Sequence, residues 1–127
     1  MRQIIHTSKA PGAIGPYVQG NAVFGTMVFT SGQIAIIPET GELAEGGIEA
    51  QTKQVMENLK AILEAAGTKM DQVIKTTCFL SNMDDFQAFN EVYAGYFNEG
   101  AYPSRSAIEI SRLPKGALIE VEAIALV

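Results

Sequence analysis

The sequence predicts an α+β fold, in which one mixed β-sheet carries two α-helices on one of its faces. Three observations lead to this prediction. Two segments repeat apolar residues at the spacing of an amphipathic helix, strand-like segments lie before, between and after them, and the chain ends in a long apolar strand. This order of elements is typical of a sheet whose helices are segregated to one face.

The first helix is predicted over 48–66, where apolar residues recur every three or four positions and charged residues occupy the opposite face. Gly67 follows at the position that a left-handed cap residue takes at a helix end. The second helix is predicted to begin at a cap on Asn82 or Asp84 and to run through Phe97. Its apolar stripe consists of Phe86, Phe89, Tyr93 and Phe97.

The strands are predicted from β-branched and aromatic residues with turn signals between them. Val23 and Phe24 precede the dipeptide Gly25-Thr26, so a hairpin to a strand over 27–31 is expected. Gly32 interrupts that strand and marks a bulge or a close approach of backbone. The remaining strand-like segments are 73–80, 107–110 and 117–127, and 34–37 is either a strand or an exit loop that ends at Pro38.

The last strand indicates that one face of the sheet is uncovered in a single chain. Ile124 and Leu126 share the face of Glu120 and Glu122, because side chains alternate along a strand. Both predicted helices are already assigned to the opposite face. Apolar residues on the remaining face therefore favour an oligomer whose subunits pack sheet against sheet.

Composition narrows the class of protein. The chain has 127 residues, of which 47% are hydrophobic, and we expect one packed domain over 1–127. Its net charge of −5 argues against non-specific binding of nucleic acid. No apolar run approaches the roughly 20 residues of a membrane span, and charged residues break up any N-terminal signal segment, so we expect a cytoplasmic protein. Cys78, the single cysteine, is expected to be a buried hydrophobe.

Few residues can carry chemistry. His6 is the only histidine, so no two-histidine metal site exists, and neither a phosphate-binding loop nor a dinucleotide fingerprint is present. Arg105 lies between two serines after a proline, either as a solvated surface residue or as a clamp for a carboxylate. Glu120, near the start of the last strand, is either a solvated strand residue or a group that orients water.

Several ordered blocks resemble the reactive intermediate deaminase (Rid) family over essentially the whole chain. The N-terminal block is Ala10-Pro11-Gly12-Ala13-Ile14-Gly15-Pro16-Tyr17-Val18-Gln19-Gly20, and the second is Thr30-Ser31-Gly32-Gln33-Ile34. The C-terminal signature is similar to Pro103-Ser104-Arg105-Ser106, Arg112-Leu113-Pro114-Lys115 and Glu120-Val121-Glu122-Ala123-Ile124-Ala125. The agreement of several blocks at the family's usual spacing is more specific than any one motif.

The resemblance implies a fold like that of bacterial chorismate mutase, assembled as a homotrimer with three clefts between neighbouring subunits. It implies hydrolysis of reactive 2-enamino and 2-imino acids to 2-oxo acids and ammonia, with 2-aminoacrylate, 2-iminobutanoate and 2-iminopropanoate as substrates. No cofactor and no metal are implied. The alternative is a binding or regulatory protein that uses the same cleft for 2-oxo acids without turnover. Ribonuclease activity, a property of some relatives, fits poorly with the acidic charge and the lack of paired histidines.

The resemblance also implies roles for individual residues. Arg105 would bind the substrate carboxylate, Glu120 would position or activate water, and Tyr17 would line the imine region and help to polarise it. The predicted substrate-binding residues are Ser31, Gly32, Asn90 and Ala107. Ala107 departs from the family, because many members carry cysteine there, and a thiol nucleophile at this position is therefore impossible. Ala35 replaces a common proline.

Overall fold

The computed structural model describes residues 1–127 and contains six strands and two α-helices. The elements are β1 Arg2–Ile5, β2 Gly20–Val23, β3 Met27–Phe29, α1 Gly47–Ala65, β4 Val73–Leu80, α2 Phe86–Ala94, β5 Ser104–Glu109 and β6 Ile119–Leu126. Short 3-10 turns precede β4, α2 and β6.

The main sheet is mixed and has the strand order β3-β6-β4-β5. β4 and β5 are parallel, while β6 pairs antiparallel with both β3 and β4. The fully buried residues of α1 and α2, which include Leu59 and Phe89, form one core with the inward residues of β4 and β6. The predicted α+β class, with two helices on a mixed sheet, is therefore confirmed. Neither helix is long and apolar enough to cross a membrane.

The first helix forms close to its predicted bounds. Its end is a Schellman motif, because the amide of Gly67 donates to the carbonyl of Glu64 and the amide of Thr68 donates to that of Leu63. Gly67 has a φ of 88°, the left-handed conformation that the sequence predicted for it. The buried stripe of α1 consists of Gln51, Thr52, Val55, Met56, Leu59 and Leu63.

The second helix is shorter than predicted. The side chain of Asn82 accepts a hydrogen bond from the amide of Asp84, but this cap opens a 3-10 turn that leads into α2. At the other end α2 stops at Ala94, and the amide of Phe97 continues the chain with an i to i+3 bond to Ala94. The ring of Phe97 still packs on Tyr93, at 4.9 Å between centroids. The apolar stripe thus extends past the α-helical hydrogen bonding.

The predicted hairpin at Gly25-Thr26 is wrong. β2 pairs antiparallel with β1, whereas β3 pairs with β6 in the other sheet. Gly25, with a φ of 139°, lies where the chain passes from one sheet to the other. The partner of β2 is the N-terminal segment, in which the guanidinium of Arg2 donates to the carbonyls of Ala101 and Tyr102 ahead of β5.

The face of the main sheet that lies opposite the helices is open in the single chain. Phe29 and Ile108 on this face are 69% and 45% exposed, and Ile124 is partly exposed between them. Leu126 is buried, contrary to the expectation for it, because the connection between β2 and β3 passes over it. β5 begins at Ser104, three residues before its predicted start, which places Arg105 within a strand.

Cys78 lies on β4 with no exposed surface, and burial raises the pKa of its thiol to about 12. The reactive thiolate is therefore scarce at neutral pH. We expect a maleimide to leave native Cys78 unmodified for hours and to label it rapidly once the chain is unfolded, as measured by intact mass. Rapid labelling of the native protein, absent in Cys78→Ala, would contradict this placement.

Candidate functional site

Arg105 lies on β5 and points to the helix face of the sheet. It pairs with Thr76 of the parallel strand β4, and paired residues of parallel strands share a face. Thr76 is buried under the helices. The Nη1 atom of Arg105 donates to Oδ1 of Asn90 on α2 at 2.7 Å. The strand and the helix therefore fix the guanidinium from two sides.

Aromatic rings surround this guanidinium. Its central carbon lies 4.9 to 5.9 Å from the centroids of four rings, those of Tyr93, Phe86, Tyr17 and Phe89. Each distance is within the range of a cation–π interaction. The only hydrogen bond of Arg105 is to the neutral amide of Asn90, and no carboxylate is paired with it. Its positive charge therefore remains available to an anion.

Tyr93, whose ring is the nearest to the guanidinium, is fixed by a hydrogen bond to Thr76 of β4. Its hydroxyl and that of Thr76 lie 2.7 Å apart, and both residues are buried. Burial raises the pKa of Tyr93, so the phenol stays neutral. The sequence placed Tyr93 only in the apolar stripe of α2. The structure adds that it supports the cation.

The loop between β1 and β2 covers the other side of the guanidinium. The ring of Tyr17 faces Arg105 while its hydroxyl accepts a hydrogen bond from the amide of Ile14 at 3.3 Å. A Cβ on Gly15 would lie 3.6 Å from Nη2 of Arg105. Gln19 organises this loop: its Oε1 accepts from the amide of Thr7, and its Nε2 donates to three carbonyls, those of Thr7, Ala10 and Pro11.

A cavity of about 230 Å³ opens above Arg105. Its seven lining residues are Ile14, Gly15, Tyr17, Phe86, Asn90, Arg105 and Ala107. The structure thus brings together four of the residues predicted from the sequence, namely Tyr17, Asn90, Arg105 and Ala107. No role in the site was predicted for Ile14, Gly15 or Phe86, although the N-terminal block contains the first two.

A second group of predicted residues lies elsewhere on the chain, where Gly32 is against Glu120 and Ser31 precedes Gly32 at an exposed position. A Cβ on Gly32 would lie 2.5 Å from Oε2 of Glu120, so the backbone of Gly32 is against the carboxylate. A bulge creates this contact. Phe29 is opposite Ile124, but Gln33 is opposite Val121, so the strand gains one residue between them. The extra residue moves Gly32 to the face of Glu120.

The two groups are on opposite faces of the sheet. Arg105 faces the helices, whereas Glu120 is opposite Phe79 and faces the open side. β4 lies between β5 and β6, which separates the two backbones by roughly 10 Å at the usual strand spacing. One chain therefore does not bring Arg105 and Glu120 together. The physical reason is that side chains alternate between the two faces of the sheet along each strand, and Arg105 and Glu120 fall on opposite faces.

Comparison with known proteins gives the family. The model of the family described as endoribonuclease L-PSP matches residues 7–127. The chain therefore belongs to the Rid (YjgF/L-PSP) family, as the sequence blocks indicated.

Individual relatives cover nearly the whole chain. The chain is 54% identical to a RutC family protein of Pyrococcus horikoshii, over 98% of both chains. It is 49% identical to the 2-iminobutanoate/2-iminopropanoate deaminase of Salmonella typhimurium, over 99% of this chain and 98% of that protein. The crystal structure of Escherichia coli TdcF with bound serine superposes with a TM-score of 0.75, at 46% identity over 98% of both chains.

Proposed function

We propose that this protein hydrolyses 2-enamino and 2-imino acids, such as 2-aminoacrylate, 2-iminobutanoate and 2-iminopropanoate, to 2-oxo acids and ammonia. The observation that carries the proposal is the unpaired guanidinium of Arg105 at the base of a small, largely apolar cavity. All of these substrates carry one carboxylate beside the reacting carbon. The named deaminase among the relatives supports the same reaction.

Arg105 binds the substrate carboxylate in this proposal. Nη1 of Arg105 donates a hydrogen bond to Asn90, while no side chain or backbone group of the chain accepts a hydrogen bond from the other guanidinium nitrogens. A planar guanidinium offers two parallel donors to a carboxylate, which fixes both the position and the orientation of the ligand. The surrounding rings limit hydration of the ion pair and so strengthen it.

The chemistry then needs a water molecule and a proton acceptor. Water adds to the carbon of the protonated imine, and Glu120 takes a proton from that water as the carbon–oxygen bond forms. Glu120 passes that proton to the nitrogen and then takes the hydroxyl proton as the carbon–nitrogen bond breaks, so the carbonyl forms and ammonia leaves. Tyr17, beside Arg105, lines the imine region. A fixed carboxylate and a positioned water provide the proximity that lowers the barrier.

Glu120 reaches the substrate only from another copy of the chain in this proposal. Glu120 and Arg105 face opposite sides of the sheet. The open side also carries exposed Phe29 and Ile108, which need cover. Packing of three copies through their open faces would bury these residues and bring Glu120 of one copy to Arg105 of the next. We therefore propose a homotrimer with three clefts.

Gly32 provides a test of the carboxylate's position. In Gly32→Ala the new Cβ would lie 2.5 Å from Oε2 of Glu120, so the carboxylate must move. We expect kcat/KM for 2-iminobutanoate to fall on the order of tenfold to a hundredfold, as displacement of a reacting group by about 1 Å does. Gly12→Ala is the matched control, because its Cβ meets nothing within 4 Å. Equal activity of the two variants would contradict the role given to Glu120.

A trapping assay tests the reaction itself. A dehydratase generates 2-aminoacrylate or 2-iminobutanoate in the presence of semicarbazide, which competes for the imine. We expect the initial rate of semicarbazone formation to fall as protein is added, because the 2-oxo acid product reacts with semicarbazide much more slowly than the imine does. The rival proposal, binding without turnover, is favoured by the serine bound to TdcF, since serine is a carboxylate ligand that is not an imine. Saturable binding of 2-oxobutanoate with an unchanged initial rate of semicarbazone formation would establish that rival.

A further inference from the structure

Residues 1–24 form an N-terminal arm that is hydrogen bonded to the rest of the chain through two side chains. The arm consists of β1, β2 and the loop between them, and its two strands pair only with each other. The side chains of Arg2 and Asn21 make all four hydrogen bonds that join the arm to residues 25–127. These two side chains are therefore the polar anchors of the arm.

The anchor at Arg2 lies directly before the strand that carries Arg105. Its Nη2 atom donates to the carbonyl of Tyr102 at 2.6 Å and to that of Ala101 at 3.2 Å, and β5 begins two residues later. The Nε atom of Arg2 is buried, and burial lowers the pKa of its guanidinium. The side chain is thus withdrawn from water to make these two bonds.

The anchor at Asn21 lies at the neighbouring point of the main sheet. Its amide nitrogen donates to the carbonyl of Ile74 at 2.9 Å and to the hydroxyl of Ser104 at 2.7 Å. Ile74 is at a bulge of β4, where the ladder to β6 is interrupted, and Ser104 is the first residue of β5. The two anchors therefore fix the arm to the beginnings of β4 and β5, beside Arg105.

The position of the arm determines one wall of the cavity. Ile14, Gly15 and Tyr17 of its loop line the cavity, and the ring of Tyr17 faces Arg105. Gln19 holds the loop together through bonds within the arm, so the wall takes the position of the arm as a whole. A two-stranded sheet is at best marginally stable by itself in water. The order of the arm consequently depends on its anchors.

We propose that Arg2 and Asn21 are positioning residues for ligand binding, because they hold the arm in the position that completes the wall beside Arg105. The inference rests on the proposed function in taking a carboxylate at Arg105 as the ligand. A ligand that needs the closed arm binds with an apparent dissociation constant equal to the intrinsic one divided by the closed fraction. Loss of an anchor therefore weakens binding and raises KM, while bound substrate reacts with an unchanged kcat.

Arg2→Met removes the donors of one anchor and keeps a long side chain. We expect the dissociation constant of 2-oxobutanoate, measured by calorimetry, and KM for 2-iminobutanoate to rise roughly tenfold, with kcat within a factor of about two. Arg2→Lys should restore part of the affinity, since an ammonium also donates to carbonyls. Asn21→Ala should act in the same direction as Arg2→Met. Lys9→Met is the matched control, because Lys9 is an exposed cation of the same arm.

Hydrogen–deuterium exchange tests the arm without a ligand. In Arg2→Met the amides of β1 and β2 should exchange roughly tenfold faster, because their exchange follows the open population, while those of α1 keep their wild-type rates. Equally faster exchange in α1 would assign Arg2 a general structural role and overturn the proposal, and so would an unchanged dissociation constant. If Arg2→Met does not fold, Asn21→Ala decides.

The same measurements separate this inference from the proposed function. Faster exchange of the arm and weaker binding of 2-oxobutanoate, in a protein that turns over no imine, would support the positioning role and overturn the deaminase. Turnover in which Arg2→Met lowers kcat and leaves KM unchanged would overturn the positioning role and leave the deaminase in place.

Discussion

Replacing Arg105 with alanine is expected to lower kcat/KM for 2-iminobutanoate by roughly thirtyfold to several thousandfold. The loss of a partly buried charge pair with the substrate carboxylate corresponds to about 2–5 kcal/mol, and each 1.4 kcal/mol is about a factor of ten. The effect should be near the upper end, because Arg105 is the one cation in the cavity and four rings shield it from water.

Arg105→Lys tests whether a positive charge at position 105 is sufficient or whether the planar geometry of the guanidinium is also needed. Lysine keeps the positive charge but offers a point charge instead of two parallel donors, and it cannot reproduce the bond to Asn90 with the same geometry. We expect it to recover part of the activity only. Thermal melting of both variants is the control. A parallel loss of melting temperature and activity would show that Arg105 supports the fold, and near-normal activity in Arg105→Ala would eliminate the clamp.

Mixing two inactive variants is expected to restore activity. Arg105→Ala keeps Glu120, and Glu120→Gln keeps Arg105. If each cleft takes these two residues from different copies, random mixed trimers formed by co-refolding at equal amounts should regain about a quarter of wild-type activity. Such recovery cannot occur if both residues act within one chain, from opposite faces of its sheet.

The controls for this experiment concern assembly. Each variant refolded alone should remain inactive, and mixtures made without unfolding should gain activity only as fast as subunits exchange. Sedimentation should give about three times the 13.6 kDa mass of the chain for the wild type and for both variants. A stable and active monomer would contradict the shared cleft, because it would lack Glu120 on the side of the substrate.

The helices and the long strands of this fold were predictable because their patterns are local. The stripe of α1 and the left-handed Gly67 are visible in the sequence and appear in the structure. The pairing of β2 was not predictable, because β1 has no alternating pattern and is recognised only by its hydrogen bonds to β2. The early end of α2 was also hidden, since Phe97 keeps its packing on Tyr93 after the helix has ended.

The residues of the candidate site likewise fall into two groups, those that the sequence indicates and those that only the structure reveals. The sequence indicated Arg105 as a residue type suited to a carboxylate, and the family resemblance added Tyr17 and Asn90, which the structure places around one cavity. The sequence assigns Phe86 and Tyr93 only to the apolar stripe of α2. The spacing of apolar residues does not distinguish a ring that contacts the core from a ring that contacts a cation. The contact between Gly32 and Glu120 depends on a one-residue bulge, which propensity does not reveal.

The four hydrogen bonds of Gln19 have a thermodynamic consequence for ligand binding. Ordering a backbone residue opposes folding by about 1–2 kcal/mol of conformational entropy, and a loop that becomes ordered only on binding subtracts that amount from affinity. Here a single amide ties residues from Thr7 to Pro11 in place before any ligand arrives. The wall of the cavity follows directly, where the amide of Ile14 donates to the Tyr17 hydroxyl and the amide of Tyr17 donates to the Gly15 carbonyl. Less of the free energy of the carboxylate contact is therefore needed to order the loop, and more remains for affinity.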